Sequence, residues 1–184
     1  MLEEKKETRR KILEKLKLQP ESERSKKSLK IKELLFKAEE FKKAEVILFY
    51  LSFDGEVDTY SAIRDALKIG KIIAVPFLKK ESKDIFPCLI KSLSKNSLRR
   101  GLYGISQPKR LYSVDIERID LVITPGVAFD QKGNRLGRGR GYYDCFLKRL
   151  ASHTKKIGLA FDFQILPYLS VEPQDSKVDR IISA

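Results

Sequence analysis

Apolar residues recur at Ile31, Leu34, Leu35 and Ala38, a three-and-four spacing that predicts one buried helical face, with Ser22 after Pro20 as its cap. A shorter, highly charged helix precedes it. Residues 45–53, EVILFYLSF, then form a continuous apolar run of strand length, the pattern of a strand covered on both faces. Thr59 caps a helix that buries Tyr60, Ile63 and Leu67 and stops at Gly70, after which KIIAVPF opens another buried strand at Lys71. Strand, helix, strand implies a right-handed crossover and a parallel pair. Residues 79–118 are less regular, with a strand near 85–90 and loops at SLSKNS and QPKR. IDLVITPG is again a buried strand; Tyr143, Phe146, Leu147 and Leu150 share a helical face; KKIGLAFDF and VDRIISA supply the last strands. With no internal repeat, low-complexity tract or linker, residues 1–184 read as a single domain. The fold class is α/β, a three-layer sandwich on a mostly parallel central sheet.

Composition narrows the chemistry. Of 184 residues 42% are hydrophobic and 34% charged, which suits a folded globular chain with a real core. No run of eighteen apolar residues offers a membrane span, and MLEEKKETRR lacks the apolar segment of a secretory signal, so a cytoplasmic location is expected. Cys88 and Cys145 fit no metal spacing and read as free thiols. The single histidine, His153, lies in a polar turn and reads as a surface residue. A zinc site of His/Cys type, or a Ser-His-Asp triad with any other base, is therefore excluded. The chemistry falls to carboxylates, cations and backbone.

The net charge of +13, from 38 Lys and Arg against 25 Asp and Glu, points to an anionic partner, either a nucleic acid or a small molecule with phosphates or carboxylates. Residues 1–45 mix 15 basic with 10 acidic side chains and read as solvated helix faces. The informative segment is PGVAFDQKGNRLGRGRGYYD, residues 125–144, between a predicted strand and a predicted helix. It is neither a dinucleotide loop, because Gly141 comes one residue too early and Tyr142 stands in the third glycine's place, nor a Walker loop, which needs Gly-Lys-Ser/Thr. Bare backbone at Gly137, Gly139 and Gly141 can approach an anion closely, a following helix dipole favours it, and Arg135, Arg138 and Arg140 offer forked donors. A phosphate cradle and an exposed arginine-glycine turn that binds RNA both remain open on this stretch alone.

Taken with the upstream LSFDGEVDT and the terminal QDSKVDRI, the segment resembles the 5-formyltetrahydrofolate cyclo-ligase family, also called methenyltetrahydrofolate synthetase. The likeness runs from the N-terminal helix to the last strand. It implies an α/β sandwich like that of the ribose-5-phosphate isomerase and coenzyme A transferase group, and ATP- and Mg²⁺-dependent conversion of 5-formyltetrahydrofolate to 5,10-methenyltetrahydrofolate with release of ADP and phosphate. The implied route is phosphorylation of the formyl oxygen and attack by N10, which needs alignment and charge neutralisation more than an acid-base residue. The resemblance assigns ATP to Lys5, Arg9, Arg135, Gly137, Arg138, Gly139, Arg140, Gly141, Tyr142 and Tyr143. It assigns folate to Leu51, Glu56 and residues Arg138, Gly139, Arg140, Gly141 and Tyr142, and Mg²⁺ to Asp144 and Asp175. Arg138, Arg140 and Asp144 become the catalytic set. Competing readings are ordinary helix charges for Lys5 and Arg9, core aromatics for Tyr142 and Tyr143, and a helix-dipole partner for Asp144. The partners implied are ATP and a folate, whose glutamate tails suit a basic surface, in a monomer that needs neither nucleic acid nor membrane; the rival class is a basic RNA-binding module. Cys145, where many members have Arg, and Gln174, where many have His, depart from the family pattern.

Overall fold

The computed structural model describes residues 2–184. Five helices, α1 (Leu2–Leu18), α2 (Glu21–Lys37), α3 (Glu39–Lys43), α4 (Tyr60–Lys68) and α5 (Tyr142–Leu147), pack on a six-stranded sheet. Its strands are β1 (Val46–Phe49), β2 (Ile72–Leu78), β3 (Ile85–Ile90), β6 (Leu121–Thr124), β9 (Lys155–Ala160) and β11 (Arg180–Ser183). Two small sheets are appended: β4 (Leu98–Arg100) with β5 (Ser106–Pro108), and β7 (Ala128–Asp130) with β8 (Arg135–Leu136) and β10 (Ile165–Leu166). The large sheet runs β11-β9-β6-β1-β2-β3, parallel throughout except for the antiparallel edge strand β3.

Alternation along the strands makes the three layers. Ile47, Phe49, Ile73, Val75, Leu121 and Ile123 face one side, against Ile12 and Leu16 of α1, Ile31 and Leu35 of α2, Phe41 of α3 and Ile63 of α4. Val46, Leu48, Ala74 and Val122 face the other, against Phe146 and Leu147 of α5 and the loop residues Val114 and Ile119. One face thus carries four helices and the other a single six-residue helix. Among the described residues no helix is long and apolar enough to cross a membrane.

Local readings change where tertiary contacts take over. The first helix is as long as the second, 17 residues each. Pro20, at φ −56°, starts α2 without any side-chain cap, so Ser22 lies inside the helix and is not its cap; Ala38 lies just past its end and Leu34 is exposed. Thr59 occupies the N-cap of α4, but its hydroxyl turns inward to donate to the Tyr50 carbonyl at 2.7 Å, and Asp58 accepts from the Tyr60 amide at 3.0 Å instead. The run 45–53 is strand only to Phe49; Tyr50 and Leu51 stay buried while the chain leaves the sheet. Part of QPKR is strand β5 rather than loop. His153 is exposed, and Cys88 (buried) and Cys145 (exposed) are both free thiols.

Candidate active site

Connections from β1 lead to β2 and β3 on one side, while β6, β9 and β11 lie on the other, so the loops after β1 and β6 diverge from adjacent carboxyl ends. Such a switch point leaves a crevice, the usual ligand position in open α/β sheets. Here the crevice is a cavity of about 290 Å³ lined by the loop after β1, the Pro125-Gly126 turn, the end of β2, the turn between β4 and β5, and residues 135–144.

The glycine loop owes its position to a β7–β8 hairpin that pattern reading misses. Asp130 accepts from the amides of Lys132 (2.9 Å) and Asn134 (3.0 Å), and Gly133, at φ +76°, lies where a Cβ would stand 2.4 Å from the Val178 carbonyl oxygen. The hairpin returns the chain with Arg135 buried at the base of the loop. Gly139 (φ +91°) and Gly141 (φ +75°) then take left-handed backbone, and the amides of residues 138–141 donate to no carbonyl among the described residues. Free amides in such a turn suit an anion. The helix that follows is only six residues long, so its dipole adds little and the arginines supply the positive field.

Arg138 is the centre of the cleft. Its Nε donates to Glu56 Oε1 at 3.2 Å, its Nη1 to Asp54 Oδ2 at 3.0 Å, and its guanidinium lies 4.2 Å from the Phe53 ring centroid. Its Nη2 is buried with no partner, as is the Tyr143 hydroxyl. The Glu56 side chain is 8% exposed; burial pushes its carboxyl up to about 7, against the pull of Arg138 and of the Phe53 amide. Burial also drives the Tyr50 and Tyr143 hydroxyls well above their ordinary value, so both stay protonated. Leu51 is buried and lines the same wall. Arg140, on the exposed rim, stacks 4.8 Å over Tyr103, which meets Tyr142 edge to face.

Carboxylates and the remaining cations gather beside the loop. Arg135 Nη2 donates to Asp144 Oδ1 at 2.5 Å, and Ser176 donates its amide to the same oxygen at 3.2 Å. The chain next to Asp175 is thereby bound to Asp144, although the two aspartates are 31 positions apart. Asp175 Oδ2 accepts from Lys5 Nζ at 2.6 Å, and Glu172 accepts from the same ammonium at 2.7 Å. Arg9, one turn along α1, donates to the Gly137 carbonyl at 2.9 Å. Leu51, Glu56, Arg135 and residues 137–144 therefore share one cleft, whereas Lys5, Arg9 and Asp175 stand on its flank. Tyr143 joins both readings, lining the cleft and packing against Phe146.

Among the described residues no group of three or more His, Cys, Asp or Glu could by itself hold a metal ion. Asp144 Oδ2 and Asp175 Oδ1 nevertheless accept no hydrogen bond from those residues. Two hard carboxylate oxygens fit Mg²⁺, which takes one or two carboxylates and completes its shell with phosphate oxygens and water. Sequence reading did not find Asp54, Phe53, Tyr103, Glu172 or Ser176. Phe53, Asp54 and Ser176 lie inside the segments LSFDGEVDT and QDSKVDRI, and glycines stand beside Asp54 and Tyr103, but no local pattern singles these residues out.

Fold and cleft together define an open-sheet α/β protein with an arginine-lined crevice at the carboxyl end of its strands. A sequence model of the 5-formyltetrahydrofolate cyclo-ligase family matches residues 1–184. The chain is 33% identical over 169 residues to 5-formyltetrahydrofolate cyclo-ligase of Mus musculus, covering 87% of this chain and 83% of that protein. To the Escherichia coli (strain K12) protein of the same name it is 32% identical, over 76% of this chain and 78% of that one. The solved structure of Aquifex aeolicus 5,10-methenyltetrahydrofolate synthetase superposes with a TM-score of 0.84 at 36% identity, over 97% of this chain and 89% of that one. The Mycoplasma pneumoniae synthetase shares the fold, with a TM-score of 0.77 at 24% identity over 97% of each chain. The chain belongs to the 5-formyltetrahydrofolate cyclo-ligase family, and so is a ligase of folate one-carbon metabolism.

Proposed function

We propose that this enzyme converts 5-formyltetrahydrofolate to 5,10-methenyltetrahydrofolate with ATP and Mg²⁺, releasing ADP and phosphate. The observation that carries the reading is the Glu56–Arg138 pair, a sheltered carboxylate for the pterin N–H donors beside a guanidinium with one unpartnered donor. The γ-phosphoryl group passes to the formyl oxygen as ADP leaves; N10 attacks the formyl carbon and loses its proton, and the C–O bond breaks to release phosphate. Arg135, Arg138, Arg140 and the open amides of Gly139 and Gly141 bind and align phosphoryl oxygens, and the buried walls exclude water. Lys5 and Arg9 fix the nucleotide side of the loop through α1. Asp144 and Asp175 would hold Mg²⁺, which supplies charge neutralisation at the phosphates. Tyr142 and Leu51 pack on the folate, in its mono- or polyglutamyl form, and the enzyme acts as a monomer in the cytoplasm.

An RNA-binding role for the loop needs its guanidiniums free at the surface, whereas Arg135 is buried against Asp144 and Arg138 is held by Asp54 and Glu56. The test is to mix the protein with 5-formyltetrahydrofolate, Mg²⁺ and ATP and follow methenyl absorbance. Absence of an ATP-dependent product would refute the proposal, and salt-sensitive RNA affinity that folate does not compete for would favour the rival.

A further inference from the structure

No ligand or catalytic role is assigned to Asp54 above, yet it holds the Arg138 guanidinium. It sits at φ +50° beside Gly55 at φ +83°, two successive left-handed residues that make the turn after β1 abrupt. A Cβ on Gly55 would lie 2.3 Å from the Leu16 carbonyl oxygen, so the turn is pressed onto the end of α1 and cannot shift toward it. From this turn Phe53 covers one face of the Arg138 guanidinium, Glu56 takes Nε and Asp54 takes Nη1. Nη2 alone is left, buried beside the cleft without a partner.

The arrangement leaves one of the strongest local pairings unused. Nε and Nη2 lie on the same edge of a guanidinium and form the fork that a carboxylate takes with two parallel bonds. Glu56 stands beside that edge but holds only Nε. We propose that Asp54 is a positioning residue: by holding Nη1 it keeps Arg138 Nη2 available as a donor to an anionic oxygen of the bound ligand, and keeps Glu56 from being consumed by a two-bond pair with Arg138. The inference rests on the proposed folate and nucleotide site, and the ligand oxygen is a formyl or a phosphoryl oxygen.

Asn and Gly both tolerate left-handed backbone, so Asp54→Asn and Asp54→Gly remove the charge and keep the turn. Calorimetry with 5-formyltetrahydrofolate alone and with a non-hydrolysable ATP analogue alone separates the two oxygens. Both variants are expected to melt like the parent and to lose on the order of tenfold in affinity for at least one ligand, as a charge-assisted bond is lost. That loss should vanish in an Arg138→Gln background. Full affinity for both ligands, or the same loss without Arg138, overturns the inference. A ligand-free arm separates it from the proposed function: the Arg138 Nη protons should be resolved by NMR in the parent, where rotation is hindered, and merge in Asp54→Asn. If the parent binds neither ligand, the proposed function falls and this spectrum still decides; identical spectra overturn the role of Asp54.

Discussion

Replacing Glu56 by Gln should change how stability depends on pH, and the structure sets sign and size. The carboxyl is buried, 8% exposed, and burial raises it from 4.5 to about 7 even with Arg138 alongside. At about 1.4 kcal/mol per pH unit that rise corresponds to roughly 3 kcal/mol. Between pH 4.5 and about 7 the folded protein keeps a proton that the unfolded chain has released, so the stability this group contributes is lost as pH rises through that window. Above about 7 the loss is complete. Asp54 faces the same carboxylate and disfavours its charge, while Arg138 and the Phe53 amide favour it; Tyr50 and Tyr143 stay protonated and neutral across this window. Glutamine cannot titrate, and the bond it leaves unmade to Arg138 is a constant offset. Urea unfolding of both proteins from pH 4.5 to 8 should therefore show parent stability falling relative to Glu56→Gln by about 3 kcal/mol across the window. Parallel curves would refute the argument, since they would mean that Glu56 ionises in the fold as it does in water. The same variant should raise the folate Michaelis constant strongly and leave ATP binding nearly intact, because the proposed role of Glu56 is to accept from the pterin and not to contact the phosphates. A fall in ATP affinity instead would exchange the two pockets.

Changing Arg138 or Arg140 to Ala should weaken ATP binding by on the order of 1–3 kcal/mol, with exposed Arg140 at the low end; unchanged nucleotide affinity in both would remove the loop from the phosphate site. Asp144→Asn should cost about 3 kcal/mol in thermal unfolding, because the Arg135 side chain it neutralises is 3% exposed, where a dipole role alone predicts about 0.3–1 kcal/mol. If Asp144 and Asp175 also hold Mg²⁺, Asp144→Asn and Asp175→Asn should both raise the Mg²⁺ requirement and depress turnover by orders of magnitude, and a fully active Asp175→Asn enzyme would take that residue out of the site. Gly55→Ala should lower the melting temperature clearly, since the residue sits at φ +83° with backbone 2.3 Å from the new methyl; a neutral substitution would show that the turn can move off α1.

The buried strands were legible in the chain because a parallel sheet covered on both faces demands unbroken apolar runs, and VILF, LVIT and the IGLA that ends KKIGLA are such runs. The glycine loop was legible because bare backbone among arginines has few other uses, and Leu51, Glu56, Arg135 and residues 137–144 do line one cleft. The sequence could not say what each charge would face. Lys5 is bonded to Asp175 across 170 positions and Arg138 to Asp54 across 84, and no local pattern encodes a contact that only the order of the strands creates. Thr59 and Asp58 make the point at short range. Propensity put the cap on Thr59, but the Tyr50 carbonyl, left without a strand partner where the chain quits the sheet, takes its hydroxyl, and Asp58 meets the helix amide instead. The dipole expected behind the glycine loop shrank for a similar reason, since α5 ends at Leu147 before Leu150 can join its face. Local sequence determined which segments had to be buried and where backbone had to be bare. The tertiary fold decided which carboxylate neutralises which cation, because those pairings depend on distances that only the closed sheet sets.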